Sequence, residues 1–457
     1  MSVADVDVVV IGAGIAGLAA ALELQDHFGE VIVVDASDRP GGVMRTDYLS
    51  GYVFERGPNT FQVKAPMLSF LESRGIDNVL QRATPESRSR YLLRDGKLVR
   101  VPTSPFGIVT TRLISGGAKW RLFAEPLKTR QDATGESVSE FSARRFGEEV
   151  AEHLVGPFLT GVYAGDETQL GVEAVFPQLV AAERDHGSVT RGLLADAVKR
   201  RGPRTKAGSY SARAANTSSD GLGPFARMLA ERLVHPPALE TDVESIHNDG
   251  PCWCVSMRGR AGSVRIRAPR VVVATPSCAA ANILRGVSSE LASGLEAIAY
   301  TPVVSVAIGV DREKVRTPID GFGFLVPRSE KLGLLGCLYM SRLFPGRAPE
   351  GFELLQCLLG GARWPEAIEH PDDVLLEQIR ADLDATLGLD DTPKVLGICR
   401  WPRAVPQPDR EHVRRVAGLR QACQPFPGIA LAGSYLDGVG LADSLASGLT
   451  AARSLLP

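Results

Sequence analysis

An α/β fold, built on a parallel sheet whose strands come from separated stretches of chain, is what these 457 residues predict. The chain opens on a β-branched run that turns through closely spaced glycines into an Ala/Leu-rich helix. RVVVATPSCAAANIL at 270–284 repeats that strand-to-small-residue-helix pattern, and ALAGSYLDGVGLADSLASGL at 430–449 gives a Gly-rich version of it near the C-terminus. Residues 86–185 show few strand signals and several helical ones, so a helical insertion is expected between the first two copies.

The run from Val6 to Ile11 reads as a buried parallel strand. Gly12, Gly14 and Gly17 then form GxGxxG, each for its own reason. Gly12 permits the tight turn, Gly14 lets the backbone approach a pyrophosphate, and Gly17 lets helix and strand pack closely. The helix N-terminus offers free N–H groups and its positive dipole end to phosphate. Val31–Val34 is a second strand, ending at Asp35, 18 residues beyond Gly17. A carboxylate there accepts from ribose hydroxyls, and Asp35 with Ala36 forms the expected edge of a Rossmann-like dinucleotide site.

DASDRPGGVMRT, which follows, resembles the extension beyond the ribose acid in the flavin amine oxidase superfamily. The resemblance implies FAD, approached by Arg39, Gly41, Gly42 and Arg45; solvated loop charge is the alternative for either arginine. Members often carry Glu at the ribose position, and Asp35 is one methylene shorter. DGLGPFARMLAERL reads as a turn and helix, PALETDVESIHND and CWCVSM as strands, and Val271–Ala274 as a further parallel strand. In the same resemblance the backbone of Val243 holds the adenine. Gly428–Ala432 reads as a short strand leading through Gly433 into a helix from Leu441. Asp437, Gly438 and Val439 would lie along the flavin, with that helix aimed at the pyrimidine edge of the ring. Reduced flavin carries negative charge there, which donors at a helix N-terminus stabilise.

GPFLTGVYAGDETQL at 156–170, ERGPNTFQ at 55–62, RSRYLLRDGKLVRVP at 88–102, DGFGFLVP at 320–327, LGCLYMSRLFPGRAPEG at 335–351 and WPRAVPQ at 401–407 resemble the protoporphyrinogen/coproporphyrinogen oxidases. The likeness covers essentially the whole chain. It implies a Rossmann-like FAD-binding domain from 1–85, 186–285 and 411–457, a mixed-sheet substrate domain at 286–410, and a helical inserted domain at 86–185. The implied reaction is FAD-dependent six-electron oxidation of a porphyrinogen to a porphyrin in haem biosynthesis, with dioxygen reduced to hydrogen peroxide. Such chemistry needs position and a dry pocket more than acid–base machinery, because the cofactor carries the hard step. No metal site is expected.

Residue roles follow from the same resemblance. Arg90 would meet a porphyrinogen propionate with its guanidinium fork, a surface loop charge being the alternative. Asn59 would lie near the substrate, although members exist with Arg there and a turn-forming Asn after Gly-Pro is a rival reading. Tyr339 would form a wall against a pyrrole, or else be a core tyrosine. Gly165 would bring its backbone carbonyl to the flavin's reactive edge, with Asp166 anchoring the turn. Where the family often has an aromatic and a later Gly-His after the PQ of its WPRA motif, Gln407 is followed by Pro408-Asp409. Arginines at 88, 90, 94 and 100 suit a more anionic substrate. The motif set also resembles the bacterial enzymes of the coproporphyrin-dependent route more than mitochondrial ones, and the resemblance favours coproporphyrinogen III, protoporphyrinogen IX being the alternative and a ferrochelatase-type protein the expected handover partner.

A flavin amine oxidase shares the fold, but those enzymes commonly have a carboxylate after the C-terminal Ala-Gly. Here Ser434 follows Gly433, and the chain is only 6% aromatic. A non-catalytic flavin/porphyrin carrier is the reading from another class. The net charge of −2 gives no reason to expect nucleic acid. Seven cysteines are scattered, and the spacing of Cys252 and Cys254 suits neither a zinc knuckle nor a redox CxxC, so reduced thiols are expected. The charge-free run between Asp7 and Glu23 is too short to span a bilayer, and no signal or transit pattern precedes it. The expectation is a cytoplasmic protein. SPFGIVTTRLISGGAKWRLFAEPLKTR is either an amphipathic surface for peripheral membrane contact, with Trp120 and Phe123 at the interface, or a helical segment with a solvated basic face. The basic, Gly/Ser-rich stretch 199–221 reads as a mobile loop.

Overall fold

The computed structural model describes residues 3–199 and 215–457. Its first sheet has four parallel strands in the order Ile429–Leu431, Arg270–Val273, Val8–Ile11, Val31–Val34. These runs are nearly all Val, Ile and Leu because both faces are covered. Val8 and Val10 enter one core with the helices Ile15–Leu24, Leu222–Ala230 and Leu441–Ser454, while Val9 and Ile11 enter a second with Ser277–Leu284, Ser289–Glu296 and His412–Cys423. The small residues of the last helix allow a close crossing: a Cβ on Gly448 would overlap the Ala16 carbonyl. Helix Ser289–Glu296, inside the stretch assigned to the substrate domain, thus buries Leu291 and Leu295 in the nucleotide-side core.

A seven-stranded mixed sheet forms the other half, ordered Lys394–Pro406, Tyr300–Asp311, Phe352–Gly360, Leu334–Tyr339, Gly323–Leu325, Tyr91–Arg94, Lys97–Arg100. Alternation along its strands sorts the side chains. Val304, Val306, Cys337, Tyr339, Leu355 and Cys357 share a core with helix Asp372–Leu387. Ala307, Leu338 and Leu354 pack toward Tyr52 and Phe54 of the hairpin Thr46–Leu49/Tyr52–Glu55, and Val303 and Leu358 toward Ala164. The hairpin Tyr91–Arg94/Lys97–Arg100 joins this sheet through parallel pairing of Tyr91 and Leu92 with Phe324 and Leu325. Its sequence had been read with the helical segment.

The helical unit runs from Pro105 to Lys199, so Val189–Lys199 belongs to it rather than to the nucleotide-binding part. Its centre is an ion cluster: Arg145, fully buried, pairs with Glu125 and Glu183, and Arg144 pairs with Glu136 and Glu183. Burial alone would raise the Glu125 carboxyl, but hydrogen bonds from Thr190, Ser188 and Arg145 outweigh it and bring it down to about 2. Of the stretch read as a mobile loop, Ala215–Ser218 is the middle strand of a three-stranded sheet between Phe61–Gln62 and Leu80–Arg82. Residues 200–214 lie outside the described ones. Among the described residues, no helix is long and apolar enough to cross a membrane.

Candidate functional site

The three glycines of the first turn differ in surroundings as their expected roles require. Gly12 has φ +105°, and a Cβ there would lie 2.7 Å from the Ala274 carbonyl oxygen. On Gly17 a Cβ would overlap the Gly12 carbonyl, whereas on Gly14 it would meet nothing within 4 Å. Gly14 is the N-cap of helix Ile15–Leu24 and no side chain caps that end. Open space thus adjoins free N–H groups at a helix N-terminus, as anion binding requires. Asp35 braces the turn: its carboxylate accepts from Ala13 N (2.6 Å), from Ser37 N (2.8 Å) and from the Ser37 hydroxyl. Three of its roughly four acceptor positions are filled, leaving one on Oδ2. Ala36 is exposed beside it.

The Gly41-Gly42 loop folds onto this turn, with Gly41 N donating to Ala13 O at 2.8 Å. Arg39 shapes that loop, donating to the carbonyls of Pro40 (3.3 Å), Gly42 (2.9 Å) and Met44 (2.9 Å). Burial, followed by the charge of Arg45, lowers its pKa. The three bonds fold Arg39 back onto its own loop. Arg45 is half-exposed, 3.6 Å from Asp47, and free to reorient. Val243 is buried at the start of the strand Asp242–Asp249. Two residues upstream, Thr241 N donates to the Asp35 carbonyl at 2.9 Å, which ties this strand to the ribose edge.

At the C-terminal end Gly433, with φ +151°, has its N–H bonded to Ser447 Oγ at 3.1 Å. Asp437 forms an exposed ion pair with Arg420 at 2.6 Å. Gly438 (φ +153°) and Val439 lead to Gly440, the N-cap of helix Leu441–Ser454, again without a side-chain cap. Both helix N-termini expected at the cofactor lack a side-chain cap, the first opening onto free space and the second with the Asp443 carboxylate beside it, and the residues present fit FAD. Sequence reasoning passed over two groups here. Thr275, just past the central strand, has a buried hydroxyl without a partner beside the Gly12 turn. Lys64 pairs with Asp443 in the first turn of the last helix.

On the substrate side, protein surrounds Arg90 closely enough to lower its pKa by burial, yet solvent still reaches the side chain. Its guanidinium carbon stands 4.6 Å above the Phe322 ring, and no carboxylate among the described residues comes within 4 Å. Asn59 is buried; its Nδ2 makes one long bond to Gly57 O (3.4 Å) and its Oδ1 has no partner. Tyr339 is a core tyrosine. Its strand register with Leu355 turns it onto the helix-covered face, where it is 1% exposed and edge-on to Phe324. Leu338, one residue earlier, takes the opposite face. The signal for Phe322 and Leu338 lay only in strand phase, which an isolated segment does not reveal.

Gly165 is buried against Gln407: a Cβ would lie 2.5 Å from Gln407 Oε1. Gln407 Nε2 donates to the carbonyls of Tyr163 (2.9 Å) and Val405 (3.1 Å) and to Thr301 Oγ1 (3.1 Å), so it locks this turn to the sheet. Asp166 anchors the turn through Thr168 and Arg328. Tyr163 sits on a cleft of ≈ 190 Å³ whose other walls include His412, Ser434 and Asp437 to Val439. Burial and then the Asp443 charge push its hydroxyl up to about 12. The Gly165 turn and the C-terminal glycine turn therefore meet at one place. No group of three or more His, Cys, Asp or Glu that could hold a metal occurs among the described residues.

Residues 15–456 match the family of flavin containing amine oxidoreductases. The chain is 34% identical to a chloroplastic protoporphyrinogen oxidase of Nicotiana tabacum, over 83% of this chain and 72% of that one. It is 30% identical to a coproporphyrinogen III oxidase of Bacillus subtilis, over 98% and 97%. Its fold is similar to a crystal structure of an Exiguobacterium sp. 255-15 protein, with a TM-score of 0.80 at 24% identity over 100% and 99% of the two chains.

Proposed function

From the premise that this chain belongs to the flavin-containing amine oxidoreductase family and is an FAD-dependent oxidoreductase, we propose that it oxidises a porphyrinogen in haem biosynthesis, with coproporphyrinogen III as substrate. The product is coproporphyrin III. Six electrons and six protons leave the macrocycle, and three dioxygen molecules become three hydrogen peroxide. FAD, when bound, supplies a two-electron acceptor that dioxygen can reoxidise.

The observation that carries this reading is Arg90. A guanidinium stacked on Phe322, with no carboxylate of the described residues within 4 Å, is matched by an anionic ligand. A protonated or protonatable amine would meet the wrong charge there. The Bacillus subtilis relative, aligned over almost its full length, supports the four-propionate substrate.

The chain's own residues would then act by position. Gly12, Gly14 and Gly17 shape the first helix N-terminus for the pyrophosphate, while Asp35 and Ala36 flank the ribose and the Val243 backbone the adenine. Arg39 holds the loop that puts Gly41, Gly42 and Arg45 beside the cofactor. Gly433 and Asp437 to Val439 line the ring, with the last helix aimed at its pyrimidine edge. Gly165 closes the reactive side, and Asn59 with Arg90 orients the substrate.

The protein acts in the cytoplasm and docks peripherally on membrane. Phe106, Trp120 and Leu127 are 77%, 75% and 84% exposed, interleaved with Lys119, Arg121 and Lys128, a pattern suited to an anionic interface. A ferrochelatase-type protein would take the product from there.

Anaerobic mixing of FAD-loaded protein with coproporphyrinogen III tests the reading. Bleaching of the flavin absorbance, followed by porphyrin formation when air is admitted, is expected. Persistent flavin colour with bound porphyrin would mark a carrier instead.

A further inference from the structure

Arg363 lies just beyond strand Phe352–Gly360 of the mixed sheet, which the strand Tyr91–Arg94, immediately after Arg90, also joins. It follows the Gly360-Gly361 turn, which rests on Ala164: Ala362 N donates to the Ala164 carbonyl at 2.7 Å. That contact places it on the side covered by helix Gly156–Tyr163, whose Gly161 packs on Leu325. Its guanidinium donates to the carbonyls of Val326 (2.8 Å) and Leu334 (3.4 Å), which open and close one hairpin loop. Its Nε–H is buried without an acceptor.

Several arginines on this sheet and its connections have acids: Arg312 and Arg342 pair with Glu353, Arg400 with Asp372, and Arg328 with Asp166. For Arg363, no carboxylate of the described residues comes within 4 Å, and Glu167 attracts it only from beyond contact distance. Burial and then the Arg328 charge bring its pKa down to about 10. A cation left so poorly compensated in a folded chain is matched by an anion from outside it.

The spacing then matters. From Phe322, beneath Arg90, to Val326, bonded to Arg363, the chain advances four residues through strand Gly323–Leu325, at most roughly 13 Å at about 3.3 Å each. We propose that Arg363 is a second carboxylate anchor, meeting a propionate on the opposite edge of the macrocycle from the one at Arg90, and that it selects a four-carboxylate porphyrinogen over a two-carboxylate one. The inference rests on the porphyrinogen reading above. Coproporphyrinogen III carries a propionate on every pyrrole, so both arginines find partners in any orientation. Protoporphyrinogen IX has its two propionates on neighbouring pyrroles, so one arginine would face vinyl groups. Discrimination then comes from the unpaired charge left by the wrong ligand.

The product porphyrins make stable probes. Coproporphyrin III and protoporphyrin IX are titrated into FAD-loaded protein, following quenching of intrinsic fluorescence, for wild type, Arg363→Gln and Arg363→Lys. Arg363→Gln is expected to weaken coproporphyrin III by about tenfold or more and protoporphyrin IX by less than about twofold, with flavin content unchanged. Arg363→Lys, which keeps the charge without the fork, should fall between. Equal weakening of both porphyrins, or of neither, would overturn the anchor. If Arg363→Gln fails to hold FAD, Arg363→Lys decides: an unchanged ratio of the two affinities overturns the proposal. A wild-type protein that binds neither porphyrin would instead defeat the porphyrinogen reading itself.

Discussion

Gly448 of the last helix lies directly against the carbonyl of Ala16 in the first, with no room for a Cβ between them. Two helices that begin at uncapped glycines, Gly14 and Gly440, are locked together by that crossing. Gly448→Val should therefore cost about 3 kcal/mol, the upper end for overpacking, because the obstacle is backbone. Thermal unfolding and FAD content of the purified variant would both fall. Retention of both would show that the crossing does not position the cofactor site.

Gly14 and Gly17 separate ligand from fold. At Gly14 a Cβ meets no protein atom and φ is −70°, so Gly14→Ala should leave apoprotein stability unchanged or raise it by about 0.5 kcal/mol. The same methyl would stand where the pyrophosphate is proposed to lie, and FAD affinity should drop at least about tenfold. Gly17→Ala should instead lower stability itself. Calorimetric titration of FAD into each apoprotein, beside its melting curve, checks the contrast.

For Tyr339, burial pushes the hydroxyl far above its ordinary range, and the oxygen has no partner. Tyr339→Phe removes an unmet polar group while keeping the ring against Phe324, so stability should hold or rise by about 1 kcal/mol. Turnover should be unchanged. A rise in KM for the porphyrinogen would return Tyr339 to the cavity wall.

Acid stability should run through Glu125. Its carboxyl is held at about 2 in the folded chain, below the usual carboxylate range of about 4. The stabilisation it contributes is complete above about pH 4.5 and is lost as the pH falls from there through about 2. Glu125→Gln leaves Arg145 without this buried partner and should cost about 3 kcal/mol at neutral pH. Urea midpoints at pH 7 and pH 3 should therefore differ more for wild type than for the variant.

Local spacing made the first turn readable, because each glycine's role follows from its distance to a strand and a helix start. The C-terminal glycines were readable for the same reason. Tyr339 was not, since its face depends on register with Leu355, and neither strand alone reveals that. The hairpin at Tyr91–Arg100 looked like part of a helical segment because its sheet partner, Gly323–Leu325, lies more than 200 residues away. Arg39 stood beside two glycines and read as an anion contact, yet its long side chain folds back on its own loop. Arg363 carries no local sequence signal: its buried Nε without an acceptor and its lack of a carboxylate within 4 Å among the described residues exist only in three dimensions.

Arg90 is proposed to meet the substrate's carboxylate, and Arg90→Ala should then raise KM for a porphyrinogen about tenfold or more while leaving bound FAD intact. Steady-state turnover, followed by porphyrin fluorescence with non-enzymatic oxidation subtracted, reads this directly.

The same assay on wild type tests the central claim, by comparing kcat/KM for coproporphyrinogen III and protoporphyrinogen IX under air. A substantially larger value for the four-propionate substrate is the predicted result. A larger value for protoporphyrinogen IX would contradict the substrate assignment, and turnover of neither by the flavin-loaded protein would contradict the oxidase reading as a whole.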